Sequence, residues 1–377
     1  MSSSDGDPLR SPAGGKLYHD PALPPVEPPT ATFVLQLFLI PLTIVTIVVM
    51  LWLLFSWLAH MGRDDPATLI RDLKKFDDAS WQRAYELADL LRSPDPKYDA
   101  LRRDPQLAKQ LSDVLLADLD SAPTDGKSDE VRLKRRMFLA RALGAFETPE
   151  VIPALVQAVE QERTPGELEV RLSALEGLAV LTDNLGAKTM RENGDVMRAV
   201  LEASRANDQN DQPISSPGSE PTIYRPHAEL RAVAAYTLGV IGGDEANDRL
   251  ARMLSDAYPN ARYNAATGLA RSGDERAVRT LNEMLDPDNE QSARDEKNER
   301  DQDRKRVNVV QTGIQSTMVL AQANPAVDIS SLRDSLEELT DSPMPLIKSD
   351  RRRIQAMARE ALDRLSKIEP VPAATGS

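Results

Sequence analysis

The sequence LRAVAAYTLGVIGG at residues 230–243 is followed by a related sequence, ARYNAATGLARSG, at residues 261–273. Between them lies ANDRLARMLSD, residues 246–256, whose apolar residues recur at helical spacing. The matching positions are Arg231, Ala234, Ala235, Leu238 and Gly239 in the first copy and Arg262, Ala265, Ala266, Leu269 and Ala270 in the second. Residues at these offsets share one face of a helix. Each copy is therefore predicted to be a helix whose small residues allow close approach of a neighbour.

A single helix pair of this kind cannot bury its apolar face, so such units occur in stacks. Similar patterns predict about seven pairs, each an outer helix followed by an inner helix. The predicted pairs are residues 66–76 with 80–92, 105–120 with 131–146, 149–161 with 167–181, 196–204 with 228–241, 246–256 with 261–272, 275–285 with 307–323, and 331–339 with 354–365. The expected fold is all-α, a right-handed α-solenoid over residues 62–367.

The repeated unit is an apolar helix, an aspartate and then Arg-x-x-Ala-Ala-x-x-Leu-Gly, and it resembles the HEAT repeat. In that family two antiparallel helices form the unit, and the aspartate after the first helix stacks against the arginine that opens the second. The resemblance therefore implies a contact of Asp256 with Arg262 and one of Asp77 with Arg83. It implies architecture and is silent on activity.

Two polar insertions interrupt the predicted solenoid. Residues 206–226 are rich in Asn, Asp, Gln, Ser and Pro, and residues 287–305 are almost all charged or amide residues. Neither segment has apolar periodicity, which predicts mobile loops. The second insertion is equally compatible with a helical extension, because Glu, Lys, Arg and Gln are good helix formers.

An uncharged segment near the start of the chain predicts a transmembrane helix over residues 31–61. Residues 33–59 carry no charge, and this length exceeds the roughly 20 residues that cross a bilayer. Trp52 and Trp57 near one end suit the membrane interface, and Pro41 is expected to kink the helix. Residues 1–30, which are rich in Pro and Ser, and residues 368–377 are predicted to be disordered tails.

Basic residues near the two ends of this segment indicate its orientation. Only Lys16 lies comparably near on the N-terminal side. Four basic residues follow the segment: Arg63, Arg71, Lys74 and Lys75. By the positive-inside rule, the bulk of the chain is expected in the cytoplasm.

Composition excludes several function classes. The net charge of -13 argues against a nucleic-acid binder, and the absence of cysteine excludes thiolate chemistry and disulfides. His19, His60 and His227 are assigned to the tail, the membrane edge and a loop end, so none is placed as a general base. The acidic sequence from Asp286 departs from a calcium loop at Gln291 and Lys297. We therefore predict a protein that is not an enzyme, with no cofactor and no metal.

The inner helices supply the predicted binding surface. In HEAT proteins the second helix of each pair lines the concave side, so the side chain five positions after each motif arginine should face the groove. These side chains are Arg141, Glu176, Tyr236 and Thr267, with Asn264 and Arg271 nearby on the same face. Their mixed character favours a protein or peptide partner; an ordinary solvated face is the alternative.

The sequence thus predicts a single-pass, membrane-tethered scaffold or adaptor. Two alternatives remain open. In the first, the chain is an accessory domain of a lyase- or isomerase-type enzyme. In the second, it is an envelope-assembly protein whose solenoid lies outside the cytoplasm. The identity of the partner is not given by the sequence.

Overall fold

The computed structural model describes residues 31–60, 72–73, 77–122, 126–206, 226–293, 295–296, 298–341 and 347–368. The predicted tails, most of the first predicted outer helix (residues 66–76) and nearly all of the 206–226 insertion lie outside these residues. So do the four basic residues that follow the apolar segment. The chain divides into two compact units, residues 1–64 and 65–377. Each is described by itself.

The first unit contains one long helix, α1 (Ala31–His60), with Pro41 inside it. Its segment Leu39–Ser56 has a mean hydropathy of 2.5, and none of that segment is buried within the structure. The hydroxyls of Thr43 and Thr46 donate to the carbonyls of Leu39 and Leu42, so these polar groups are satisfied inside the helix. Among the described residues, α1 is the one helix long and apolar enough to cross a membrane.

The second unit is built from helices alone over its described residues. Its first half contains α2 (Ser80–Arg92), α3 (Asp99–Arg102), α4 (Pro105–Asp120), α5 (Lys127–Gly144), α6 (Ile152–Glu160), α7 (Leu168–Leu185), α8 (Ala187–Glu192) and α9 (Gly194–Ser204). Its second half contains α10 (Pro226–Ile241), α11 (Asp244–Met253), α12 (Pro259–Arg271), α13 (Val278–Leu285), α14 (Glu299–Ala323), α15 (Ser330–Asp341) and α16 (Lys348–Leu365).

These helices form the predicted stack. The outer helices α4, α6, α9, α11, α13 and α15 each pack on the inner helix that follows in the repeat: α5, α7, α10, α12, α14 and α16. Each inner helix also packs on the next, from α2 through to α16. A continuous core of leucine, alanine and valine side chains runs through the array. The all-α solenoid predicted from the repeats is confirmed, with six described pairs preceded by α2.

Small residues set the spacing between inner helices, as the repeat predicts. A Cβ placed on Gly239 of α10 would lie 2.6 Å from the Cα of Gly268 in α12. Gly144 of α5 and Gly177 of α7 approach equally closely, since a Cβ placed on Gly144 would lie only 2.5 Å from the Cα of Gly177. Real Cβ atoms do not approach backbone atoms at such distances, so these two crossings require glycine.

The motif arginines close the outer helices of their own repeats. Arg171 donates to the carbonyl of Val159 at the end of α6, and Arg262 donates to that of Asp256 after α11. Carbonyls at a helix C-terminus lack intrahelical donors, so a guanidinium there satisfies groups that burial would otherwise strand. The arginines are therefore structural.

Both implied aspartate–arginine contacts are present, but the second is made through the aspartate backbone and not through its carboxylate. Asp77 pairs with Arg83 through both carboxylate oxygens, at 3.0 and 2.8 Å. Asp256 pairs with Arg231 of the preceding repeat, and Arg262 pairs with Glu283 of the following one at 2.5 Å. Arg262 reaches only the backbone carbonyl of Asp256, because the carboxylate is already held by Arg231.

The 287–305 insertion is partly helical. A 3-10 turn covers Glu290–Ala293, and α14 begins at Glu299, well before the predicted start near residue 307. The side chain of Asn298 accepts from the backbone N–H of Asp301 and so caps this extension. The helical alternative is therefore correct for the second part of the insertion.

Candidate interaction face

Each inner helix repeats the same motif, so side chains at equivalent motif positions lie on the same side of the array. Counted from the motif arginines Arg83, Arg136, Arg171, Arg231 and Arg262, positions -2, +2 and +5 lie on one helical face. We call the surface formed by the exposed and partly exposed residues at these positions on α2, α5, α7, α10 and α12 the inner face; Ala88 and Ser173, at two of the positions, are buried. The six predicted partner-binding residues all lie on it or at its edge, and each is at least partly exposed.

The structure brings two of the predicted residues into contact. The guanidinium of Arg271 lies 5.6 Å from the centre of the Tyr236 ring, and 39% of Tyr236 is exposed. Asn264 donates to the carbonyl of Ala232, and Thr267 accepts from the hydroxyl of Ser316 at 3.3 Å. Arg141 and Glu176 stand on α5 and α7, apart from these four.

An aromatic cluster beside Arg141 was missed by the sequence analysis. Phe138 stacks with Trp81 at a centroid distance of 6.2 Å and meets Tyr85 edge-on at 5.1 Å. Lys134 lies 5.6 Å from the Trp81 ring and Arg141 lies 5.7 Å from the Phe138 ring. We call these five residues, Trp81, Tyr85, Lys134, Phe138 and Arg141, the aromatic patch. Four of the five residues lie two positions before or after a motif arginine, so counting these positions in the sequence would have identified the patch.

A groove lies farther along the inner face, with a volume of about 410 Å³. It is bounded by α7, α10, α12, α13 and α14, and two predicted residues, Asn264 and Thr267, line it. Its other lining side chains include Glu229, Val233, Tyr258, Tyr263, Lys305 and Thr312. We call it the inner groove.

Hydrogen bonds organise one wall of the inner groove. The hydroxyl of Tyr258 donates to Asp295 at 3.0 Å and accepts from the side-chain amide of Asn260 at 2.9 Å. Lys305 forms an ion pair with the same Asp295. Burial, together with the charge of Asp295, raises the pKa of Tyr258, so the phenol stays protonated and remains a donor.

Glu229 faces this wall from the first turn of α10. Burial raises the pKa of the Glu229 carboxyl, the negative charges of Glu169 and Asp295 raise it further, and Lys305 opposes the rise. A carboxylate in this position experiences more negative than positive charge.

The sequence placed His227 in a loop end, and this assignment is wrong. His227 lies in the first turn of α10, with its Nε2 atom 3.1 Å from Glu162. The contact joins α10 to the loop after α6, which suits a structural role. Within the described ranges, no group of three or more His, Asp or Glu residues is arranged to hold a metal ion.

Trp52, one of two predicted interface residues, is 66% exposed on α1. The side chain of Trp57 lies outside the described part of the chain. Their position at a membrane interface stays a prediction.

Family models match two stretches of the chain. Residues 222–296, which contain α10 to α13, match the model for HEAT repeats, and residues 136–161, which span the second part of α5 and α6, match the model for the PBS lyase HEAT-like repeat. The chain contains HEAT repeats. Both models describe repeat architecture, and HEAT-repeat families are typically non-catalytic. The HEAT repeats therefore make the second unit a helical repeat scaffold.

No curated protein matches the chain. Among solved structures, the crystal structure of an engineered protein is similar at 16% identity. The match covers 80% of this chain and 97% of that one, with a TM-score of 0.34.

Proposed function

We propose that the chain is a non-catalytic, membrane-tethered scaffold whose HEAT repeats bind a protein or peptide partner on the inner face. The aromatic patch is the observation that carries this proposal. Tyr85 is 50% exposed, although aromatic residues make up only 4% of the chain. Three rings from two helices thus gather at one exposed place, and aromatic side chains with arginine are the residues that anchor protein interfaces.

The cations of the patch support a specific kind of contact. Arg141 lies against Phe138 and has no carboxylate partner among the described side chains, whereas Lys134 pairs with Glu130 at 2.6 Å. A ring already holds this guanidinium in place, and no described carboxylate occupies it. It can therefore donate hydrogen bonds to a carboxylate of a partner with little further loss of side-chain entropy. The patch therefore suits a peptide with an apolar or proline residue beside an acidic one.

The tether is proposed from α1. None of the described residues packs against the exposed apolar surface of its segment Leu39–Ser56, and a bilayer would cover that surface. The basic residues that follow α1 support a cytoplasmic position for the repeats. An alkaline carbonate wash of membranes should leave the full chain in the pellet, and release of the intact chain into the supernatant would contradict the tether.

Topology can be measured cleanly because the chain has no cysteine. We expect Lys109→Cys, on the exposed side of α4, to react with a membrane-impermeant maleimide only after cells are permeabilised. Labelling of Lys109→Cys in intact cells would favour the envelope alternative. Ser4→Cys in the N-terminal tail is the matched control and should show the opposite behaviour.

Partner binding is tested by photo-crosslinking in membranes. A benzoylphenylalanine placed at Tyr85 should give a discrete crosslinked product, because that position is exposed inside the patch. The same probe at Lys109, on an outer helix, is the control. Arg141→Glu should abolish the Tyr85 product by charge reversal. Equal products from Tyr85 and Lys109, or a Tyr85 product that survives Arg141→Glu, would contradict binding at the patch.

A further inference from the structure

The inner groove contains a carboxylate, that of Glu229, with no partner among the described side chains. Glu229 is half-buried, and its side chain has no hydrogen bond or ion pair with any described residue. A carboxylate that loses part of its hydration without gaining a hydrogen-bond donor is held at a cost in free energy. A cationic group bound beside Glu229 would offset that cost.

Lys305, the described cation that acts on Glu229 in the groove, is already engaged. Lys305 pairs with Asp295 and lies 3.8 Å from Glu296. Glu169 adds a further negative charge in the neighbourhood of Glu229. Among the described groups in and beside the groove, one lysine thus stands with four carboxylates, and this excess of negative charge favours a cation.

The walls of the groove indicate the shape of that cation. Leu172, Val233, Met284 and Val309 supply apolar surface, and Tyr258 and Tyr263 add aromatic rings. The stems of lysine and arginine side chains pack along such surface while their charged heads reach a polar group. An inorganic ion would leave the apolar wall uncovered.

We propose that the inner groove binds one lysine or arginine side chain of the partner peptide, with Glu229 as its counter-ion and the apolar wall against its methylene stem. The inference rests on the proposed function, because the groove opens on the same inner face as the aromatic patch. A peptide that follows this face would thus present an acidic residue to Arg141 and a basic residue to Glu229.

The groove is tested with defined peptides, independently of any captured partner. Capped pentapeptides of sequence Ala-Ala-X-Ala-Ala, with X as arginine, lysine, norleucine or glutamate, are titrated onto the full chain in detergent. Binding is followed by saturation-transfer NMR on the peptide. We expect the arginine or lysine peptide to bind best and Glu229→Gln to weaken it roughly tenfold. Glu338→Gln, at an exposed carboxylate on the outer helix α15 and away from the groove, should change nothing.

A second variant guards against misfolding as an explanation. Asn308→Asp adds a carboxylate at an exposed position of the groove lining, and it should strengthen binding of the basic peptide. Norleucine binding as well as lysine, an unchanged affinity in Glu229→Gln, or no binding of any peptide would overturn the proposal. If basic peptides bind in a Glu229-dependent way but Tyr85 gives no crosslink, only the proposal that the aromatic patch binds the partner is contradicted. If Tyr85 gives a crosslink but no basic peptide binds, only the proposal for the inner groove is contradicted.

Discussion

Asp256 and Arg231 join two successive HEAT repeats. The carboxylate of Asp256, in the turn before α12, accepts from Nε and Nη2 of Arg231 in α10 at 2.8 and 2.9 Å. The two side chains are only 9% and 6% exposed. Asp256 also accepts from the backbone N–H of Tyr258 at 2.9 Å, so one carboxylate orders its own turn and bonds the previous repeat.

Two other motif arginines make the same kind of bond to the next repeat. Arg136 reaches Glu167 at 3.2 Å, and Arg262 reaches Glu283 at 2.5 Å. Neighbouring-repeat contacts determine the stability of a solenoid, because each repeat touches only those beside it. These ion pairs are therefore expected to control how cooperatively the array unfolds.

Asp256→Asn is predicted to destabilise the array by roughly 3 kcal/mol, since it replaces the charged, bidentate acceptor of the buried Arg231 guanidinium with a neutral amide. The amide oxygen can still accept from Tyr258, so the turn is retained. Chemical unfolding followed by circular dichroism, with hydrogen exchange over α10 to α12, would measure the loss. Asp77→Asn is the matched control. Its pair with Arg83 is more exposed, so its midpoint should shift less, and an equal shift would contradict the special role of the Asp256 pair.

Gly239→Ala tests the close crossing of α10 and α12. Alanine normally stabilises a helix interior relative to glycine. Here its Cβ would lie 2.6 Å from the Cα of Gly268, and backbone cannot move aside as a flexible side chain can. We expect a loss of about 1–3 kcal/mol. Gly194→Ala, at a helical position with open space around it, should be neutral or slightly stabilising. Similar behaviour of the two variants in thermal unfolding would show that α10 and α12 separate easily.

Glu167 is predicted to stabilise the fold through its charge. Burial alone would raise its pKa, but hydrogen bonds from the backbone and side chain of Arg163, from Gln161 and from Thr164 lower that pKa below its usual value. A carboxyl with a lowered folded pKa adds stability above its unfolded pKa, and this stability is lost as pH falls through the folded value.

Glu167→Gln should therefore unfold more easily than the wild type at pH 7. The difference should narrow below about pH 4, near and under the unfolded pKa of glutamate. Unfolding midpoints measured across this pH range give the result, with Glu176→Gln as the exposed control. A difference that persists unchanged in acid would mean that packing, rather than charge, explains the loss.

The repeat pattern predicted the fold because a helical motif fixes its own periodicity. The offsets of Ala234 and Leu238 from Arg231 define a buried face regardless of what packs on it, and most predicted helices are present, although the last inner helices begin earlier than predicted. The partner of Asp256 could not be predicted in this way. Arg262, six residues away, and Arg231, twenty-five residues away, are both arginines, and only the crossing of the helices decides between them.

The candidate sites were predicted only in part, for a similar reason. Counting five positions from each motif arginine reached Arg141 and Tyr236 but gave Ala88 in α2, which is buried. The aromatic patch depends instead on Trp81 and Tyr85, two positions on either side of Arg83. The inner groove depends on Asp295 and Lys305, which lie in an insertion whose pattern did not distinguish loop from helix.

The ionised carboxylate of Glu229 is predicted to lower the stability of the fold, whereas that of Glu167 raises it. Burial and neighbouring negative charges raise the pKa of Glu229, so the folded chain holds this proton more tightly than the unfolded chain does. The ionised carboxylate then costs stability at pH values above the folded pKa, and this cost disappears as pH falls to the unfolded value of about 4.3. Glu229→Gln should thus be more stable than the wild type at pH 7 and equal to it in acid. Thermal unfolding of the full chain in detergent at several pH values measures this difference in stability.

A variant that is both more stable and unable to bind the basic peptide would show that the carboxylate is kept for binding, because such stability costs are characteristic of functional positions. A variant less stable than the wild type at pH 7 would show that Glu229 is already satisfied in the folded chain, and the inner groove would then need no cation.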